Sequence, residues 1–183
     1  GPNVMVGYLN KPKETAEAID TEGWFHSGDQ GKFDPEGNLI ITGRIKELIV
    51  NSYGKNIPPV PVELAIGKSE YVEQTLVHGD RWPCLTALIV PSRLALEALT
   101  RERGIAFKKY TDVLDHPEVL KLYGEEIKKA LAGFAQYEQV RRFRLIPDQF
   151  TVENGLLTPT LKLRRPQVTA ACQKELDGMY EGH

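Results

Sequence analysis

No apolar run in this 183-residue chain approaches the roughly 18–20 residues that span a bilayer. The apolar residues come instead as short stretches cut by 16 glycines and 12 prolines, so a buried core has to be assembled from many short elements. Hydrophobic residues make up 41% of the chain and charged residues 26%, a composition too apolar for a disordered polymer and ordinary for a folded domain. The sharpest local constraint is the trio Pro58, Pro59 and Pro61. It is expected to exclude helix until about Val62, because proline donates no backbone hydrogen bond and restricts the residue before it.

The pattern on either side of those prolines predicts an α+β fold. Lys11–Ile19 reads as a short helix with Pro12 in its first turn. Gly31–Phe33 and Asn38–Gly43 read as a hairpin around Asp34-Pro35-Glu36-Gly37, a sequence that suits a type I turn. Glu47–Val50 predicts a strand and Asn51–Asn56 a polar loop. Thr75–His78 and Leu85–Val90 predict two strands joined through Gly79–Pro83. Ser92 can cap a helix ending near Gly104, and Pro117 opens another with apolar residues at the 3.6-residue period. Arg142–Pro147 alternates like a last strand. The expected order after residue 46 is strand, helix, strand, strand, two helices, strand.

Charge excludes one class of partner. There are 23 Lys+Arg against 25 Asp+Glu, a formal charge of −2, whereas nucleic-acid binders carry a clustered cationic excess. The balance also shifts along the chain, from 4 basic and 7 acidic residues in 1–45 to 19 and 18 in 46–183, and this shift coincides with the change of pattern. A division at 45/46 is therefore expected. Ten basic residues between 101 and 144 are offset by seven acidic ones, which leaves peripheral membrane contact open without arguing for it.

Cys84 and Cys172 form no CxxC pair, and the histidines at 26, 78, 116 and 183 show no ligand spacing with them. Free, buried thiols in a cytoplasmic setting, no structural zinc and no metal ligands are expected. Gly67-Lys68-Ser69 ends like a phosphate-binding loop, but Val62 stands where the first glycine should be, so it reads as an ordinary helix end. Trp24, Phe25, Trp82 and Phe134 read as core or interface aromatics. The absence of an initiator Met and an opening already in mid-pattern suggest a piece of a longer polypeptide.

Four ordered segments carry a resemblance: Gly1–Tyr8; Gly23-Trp24-Phe25-His26-Ser27-Gly28-Asp29-Gln30-Gly31; Gly43-Arg44-Ile45-Lys46-Glu47-Leu48-Ile49 with Gly54–Ile57 and Val62-Glu63; and Asn154-Gly155-Leu156-Leu157-Thr158-Pro159-Thr160-Leu161-Lys162-Leu163-Arg164-Arg165. Together they resemble the adenylate-forming acyl-CoA synthetases over essentially the whole chain, and the last segment looks most like the long-chain fatty-acyl branch. Other branches stay open: an aryl-CoA ligase, a peptide-synthetase adenylation domain, or a lid-like interaction domain without catalysis.

The resemblance implies an acid activated by ATP to an acyl-adenylate with loss of pyrophosphate, followed by displacement of AMP by the CoA thiol. It makes residues 1–45 the β-rich terminal strip of a large adenylating domain, and 46–183 a small C-terminal lid with a short mixed sheet flanked by helices. Asp29 would receive the ribose hydroxyls of ATP, as an ionised acceptor with two oxygens can. Arg44 would hold ribose or phosphate oxygens. Lys46 would be the hinge, and Ser52, Tyr53, Gly54 and Lys55 would line the CoA pantetheine tunnel. Tyr53 departs from the family pattern, which commonly has a second glycine there. Lys162 would stabilise the charge that builds as carboxylate meets phosphate. Glu63 is expected to be structural, and Arg164 and Arg165 surface charges. The phosphate loop, the Mg2+-binding glutamate and the acyl pocket would lie upstream, so these 183 residues alone are expected to be inactive.

Overall fold

The computed structural model describes residues 1–181 and divides into two units, Gly1–Leu48 and Ile49–His183. The histidine at 183 lies outside the described residues.

In the first unit, helix α1 (Pro12–Ala18) begins on its proline, and strands β1 (Asp29–Phe33) and β2 (Leu39–Arg44) form the expected antiparallel hairpin. Its turn is closed by Asp34, whose carboxylate accepts from the backbone and side-chain amides of Asn38 at 2.7 and 2.9 Å. Gly37 supplies the left-handed residue, with φ of 85°. Trp24 is 70% exposed and Phe25 41%, so of the two places expected for these aromatics, core or interface, neither lies in a core of this unit.

The second unit opens with a two-stranded ribbon, β3 (Ile49–Val50) and β4 (Asn56–Ile57), enclosing the polar loop. The longer strand expected from Glu47 is shortened, because Ile45–Glu47 forms one turn of 3-10 helix. Helix α2 (Pro59–Ile66) starts three residues earlier than the prolines suggested. Pro59 and Pro61 fall in its first turn, where the N–H groups have no helical partner to lose. Gly67 ends this helix, its N–H donating to the Glu63 carbonyl at 2.8 Å, as an ordinary helix end should.

Next come β5 (Val72–His78), β6 (Leu85–Pro91), α3 (Arg93–Glu102), α4 (Tyr110–Leu114), α5 (Pro117–Ala130), β7 (Val140–Leu145), α6 (Arg165–Ala171) and α7 (Gln173–Gly178). β6 pairs antiparallel with β5 and parallel with β7, giving a short mixed sheet with β6 in the centre. The Ser92 hydroxyl accepts from Ala95 at the start of α3, and Gly104, at φ of 64°, follows the helix. Helices α4, α6 and α7 are additions to the expected order. They are five to seven residues long, too short to show an apolar period convincingly.

All seven residues of β6 are buried. Because strand side chains alternate, Ala87 and Ile89 join one core with α2, α3, α4 and α5, where Val62, Leu96, Val113 and Tyr123 meet. Leu88 and Val90 join a second core with Phe150, Val168, Leu176 and Met179. Each fully buried aliphatic side chain contributes about 1.5–3 kcal/mol. Burial pushes the Tyr123 phenol well above its usual range, and its hydroxyl donates to the Tyr71 carbonyl at 2.6 Å. Trp82 stacks on Tyr180 at 4.0 Å and 8°. The Tyr180 hydroxyl, pushed up to about 12 by burial, sits 3.0 Å from both the Thr86 hydroxyl and the Cys84 carbonyl.

Half-buried His78, at the end of β5, has its imidazole pushed below the ordinary value by desolvation, against the opposing pull of Asp80 and Asp177. The unfolded chain therefore binds this proton first as pH falls, and stability is lost on acidification through and below about pH 6.5. We expect His78→Gln to flatten the loss of urea midpoint between about pH 7.5 and 5.5, the range that brackets the ordinary histidine value. An unchanged slope in the variant would remove His78 as its source.

Candidate functional site

Within the first unit the hairpin register sets Asp29 opposite Arg44. Arg44 Nε meets Asp29 Oδ1 at 2.8 Å, with the two side chains 56% and 28% exposed. Gly28 makes this possible: at φ of 73° it turns the chain into β1, and its carbonyl accepts from Ile45 N–H at 2.8 Å. An ion pair this exposed adds little stability, so the two groups remain accessible as an acceptor and a fork of donors. Two residues far apart in sequence thus share one strand end. Lys46 follows directly, exposed, in the middle of the Ile45–Glu47 turn.

In the second unit, the Ser52–Lys55 loop is organised by a residue that sequence inspection passed over. Asn51 is 4% exposed, and its Oδ1 accepts from the N–H groups of Tyr53 and Lys55 at 3.1 and 2.9 Å. Its carbonyl accepts from Gly54, whose φ of 72° closes the turn. Ser52 N–H donates to the Trp82 carbonyl at 3.0 Å, tying the loop to the β5–β6 connection. Tyr53 is 73% exposed, and the Lys55 ammonium lies 5.9 Å from the Tyr137 ring centroid. The clue to Asn51 was its side-chain oxygen standing ahead of a glycine turn.

Lys162 is exposed, on a hairpin whose stem is the Leu157–Leu163 bridge. Thr158 closes the tip twice: its N–H donates to the Lys162 carbonyl at 2.9 Å, and its hydroxyl accepts from Lys162 N–H at 3.1 Å. Leu161 adopts a left-handed φ of 60°, an uncommon conformation for a branched side chain and a mark of a tightly specified turn. Leu161 and Leu163 also line an open cavity of about 1240 Å³ with Val60, Leu64 and Phe134.

Two expectations about charges are revised. Glu63 is structural, as expected, but its partner is Arg165, which is not a surface charge. Arg165 Nη1 donates to Glu63 Oε1 at 2.7 Å and Nη2 to Oε2 at 2.5 Å, and the side chains are only 18% and 10% exposed. Arg164 is exposed, and its backbone N–H donates to the Leu156 carbonyl at 2.9 Å. The two thiols are free and partly buried, and burial raises the pKa of both. Among the described residues no cluster of His, Cys, Asp and Glu could hold a metal ion, and no helix is long and apolar enough to cross a membrane.

Residues 46–183 match the family model described as AMP-binding enzyme C-terminal domain. The chain belongs to this family. It is 38% identical over 183 residues to long-chain-fatty-acid–CoA ligase 1 of Cavia porcellus and 36% identical to long-chain-fatty-acid–CoA ligase 6 of Homo sapiens, covering 98% of this chain in each case. Among solved structures it resembles the adenylation domain of a carboxylic acid reductase from Segniliparus rugosus, in complex with AMP and a co-purified carboxylic acid. That likeness has a TM-score of 0.79 and 28% identity, and it covers 97% of this chain and 26% of that one. The adenylation domain of a carboxylate reductase from Mycobacterium chelonae has the same TM-score at 26% identity, covering 96% of this chain and 26% of that one. The chain spans about a quarter of the length of the curated relatives it matches, 26% in each of these two ligases.

For this AMP-binding C-terminal domain we expect Asn51→Ala to cost about 2–3 kcal/mol, since the N–H groups of Tyr53 and Lys55 lose their acceptor. Urea unfolding would measure it. A loss below about 0.5 kcal/mol, within the scatter of surface substitutions, would mean that the loop does not depend on Asn51.

Proposed function

We propose that this chain is the C-terminal part of an ATP-dependent long-chain fatty acid–CoA ligase. The observation that carries the reading is the exposed Lys162 beside the turn of a tightly closed hairpin, on a chain related along 98% of its length to proteins named long-chain-fatty-acid–CoA ligases.

In the first half-reaction a carboxylate oxygen of the fatty acid attacks the α-phosphate of ATP, the bond to the bridging oxygen breaks, and pyrophosphate leaves. Two anions meet and charge develops on the phosphoryl oxygens. The Lys162 ammonium, presented by its hairpin, stabilises that charge as it forms. Asp29 accepts hydrogen bonds from the ribose hydroxyls, and Arg44 holds ribose or phosphate oxygens beside it. In the second half-reaction the CoA thiol attacks the acyl carbon and AMP leaves. Ser52, Tyr53, Gly54 and Lys55 line the pantetheine path, where the Asn51-braced turn lets backbone approach the ligand at Gly54. Lys46 is the residue at which the lid turns between the two steps, one of the few element-end positions that absorb such a rotation. Mg2+ would be held by the part of the ligase outside this chain. Placement is cytoplasmic, with a membrane-peripheral variant.

Lys162→Ala in the intact ligase is expected to lower acid-dependent ATP–pyrophosphate exchange by about 100-fold or more, the order seen on removing one electrostatic stabiliser. Thioester formation from supplied acyl-adenylate should stay within about twofold, as for an interaction used only in the other transition state. Equal loss of both steps would refute the assignment. Lys46→Pro should do the reverse, harming the thioester step more, because a locked φ hinders rotation; rates equal to wild type in both steps would remove the hinge. The purified 183-residue chain should show no ATP–pyrophosphate exchange.

A further inference from the structure

The Lys162 hairpin is an irregular loop, yet a displacement of about 1 Å at such a group can cost on the order of 100-fold in rate. Something must hold its base. The bridge Leu157–Leu163 and the Arg164–Leu156 hydrogen bond close the stem upon itself, and the side chains of Leu156, Leu157 and Leu163 rest on the second core, but such non-directional apolar contact does not fix the orientation of the stem. The next residue does. Arg165 is the first residue of α6, and both arms of its guanidinium engage the Glu63 carboxylate on α2. Glu63 is anchored in turn, because its Oε1 also accepts from Val77 N–H of β5 at 2.8 Å. A two-point fork fixes orientation as well as distance. The chain of contacts therefore runs from the sheet, through Glu63 and Arg165, to a point three residues from Lys162.

The loop of Ser52–Lys55 is held differently. Asn51, the β3–β4 pairing and Trp82 brace it without Glu63, although α2 begins just two residues after β4. We propose that Glu63 and Arg165 are a positioning pair that sets where the Lys162 ammonium stands, so that the adenylation step depends on them and the thioester step does not. This deepens the ligase reading and rests on it for the kinetic consequence. The mechanical part stands on geometry alone.

Two experiments separate these parts. In the 183-residue chain, amide hydrogen exchange is measured for wild type, Glu63→Gln and Arg165→Lys, the last keeping the charge while losing the fork. Exchange in residues 157–163 should quicken about tenfold in both variants, as a local opening rather than global unfolding, with residues 51–57 unchanged. Unchanged exchange in 157–163, or equal quickening in both segments, would overturn the proposal. In the intact ligase, Arg165→Lys should lower kcat of ATP–pyrophosphate exchange by about tenfold or more, with KM for ATP and thioester formation from supplied acyl-adenylate each within about twofold. A loss confined to KM, or shared by both half-reactions, would overturn it too. If the wild-type intact protein shows no acid-dependent exchange at all, the ligase reading falls, while hydrogen exchange still decides whether the pair holds the hairpin.

Discussion

The structure of the second unit depends on the burial of β6 on both faces. A strand with no exposed residue cannot sit at an edge or lie against solvent, so it needs a neighbour on each side and a layer above and below. β5 and β7 provide the neighbours. Helices α2 to α5 supply one layer; Phe150, Val168, Leu176 and Met179 supply the other. The second layer explains why the short helices α6 and α7 exist. Neither is long enough to persist alone; Val168 and Leu176 pull them onto Leu88 and Val90. The hairpin of Lys162 is the segment that leads into this layer, so its placement follows from the need to cover the far face of the sheet.

The two loops of functional interest solve the same problem by different means. A polar loop has to satisfy its backbone groups and still present one or two side chains outward. At 51–56 a buried asparagine takes the amide hydrogens and a glycine takes the left-handed turn. At 158–162 a threonine does the first task and Leu161 accepts the left-handed conformation. The second solution carries backbone strain and depends on the anchoring of its base, where the Glu63–Arg165 pair lies. With both partners largely buried, the charge of either alone would be costly to leave unpaired. The arrangement supplies orientation more than net stability.

Much of this organisation was legible in the linear pattern. The hairpin around Asp34-Pro35-Glu36-Gly37, the Ser92 cap and the Pro117 helix start follow from local chemistry that acts over a few residues, whereas the mixed sheet is implied only by the family resemblance. Helix α2 starts earlier than its prolines suggest, because a proline that bars the interior of a helix costs nothing in the first turn. Trp24, which by type suits a core or an interface, is 70% exposed, and only burial in the folded chain separates those two readings. Arg165 reads as a surface charge in the linear sequence because it stands in a basic cluster, and nothing local announces a partner 102 residues away.

Sequence alone determined the α+β class, the family likeness and the identity of the candidate residues Asp29, Arg44, Lys46 and Lys162, since each is carried by a short motif whose chemistry is local. Only the tertiary structure decided that Asp29 and Arg44 form one pair across a hairpin, that Asn51 braces the loop at Gly54, and that Glu63 grips Arg165 at the base of the Lys162 hairpin. The physical reason is range. Caps, turns and periodicity are written within a few residues, whereas ion pairs and core contacts join positions whose separation in sequence carries no signal until strand register and helix packing bring them to hydrogen-bond distance.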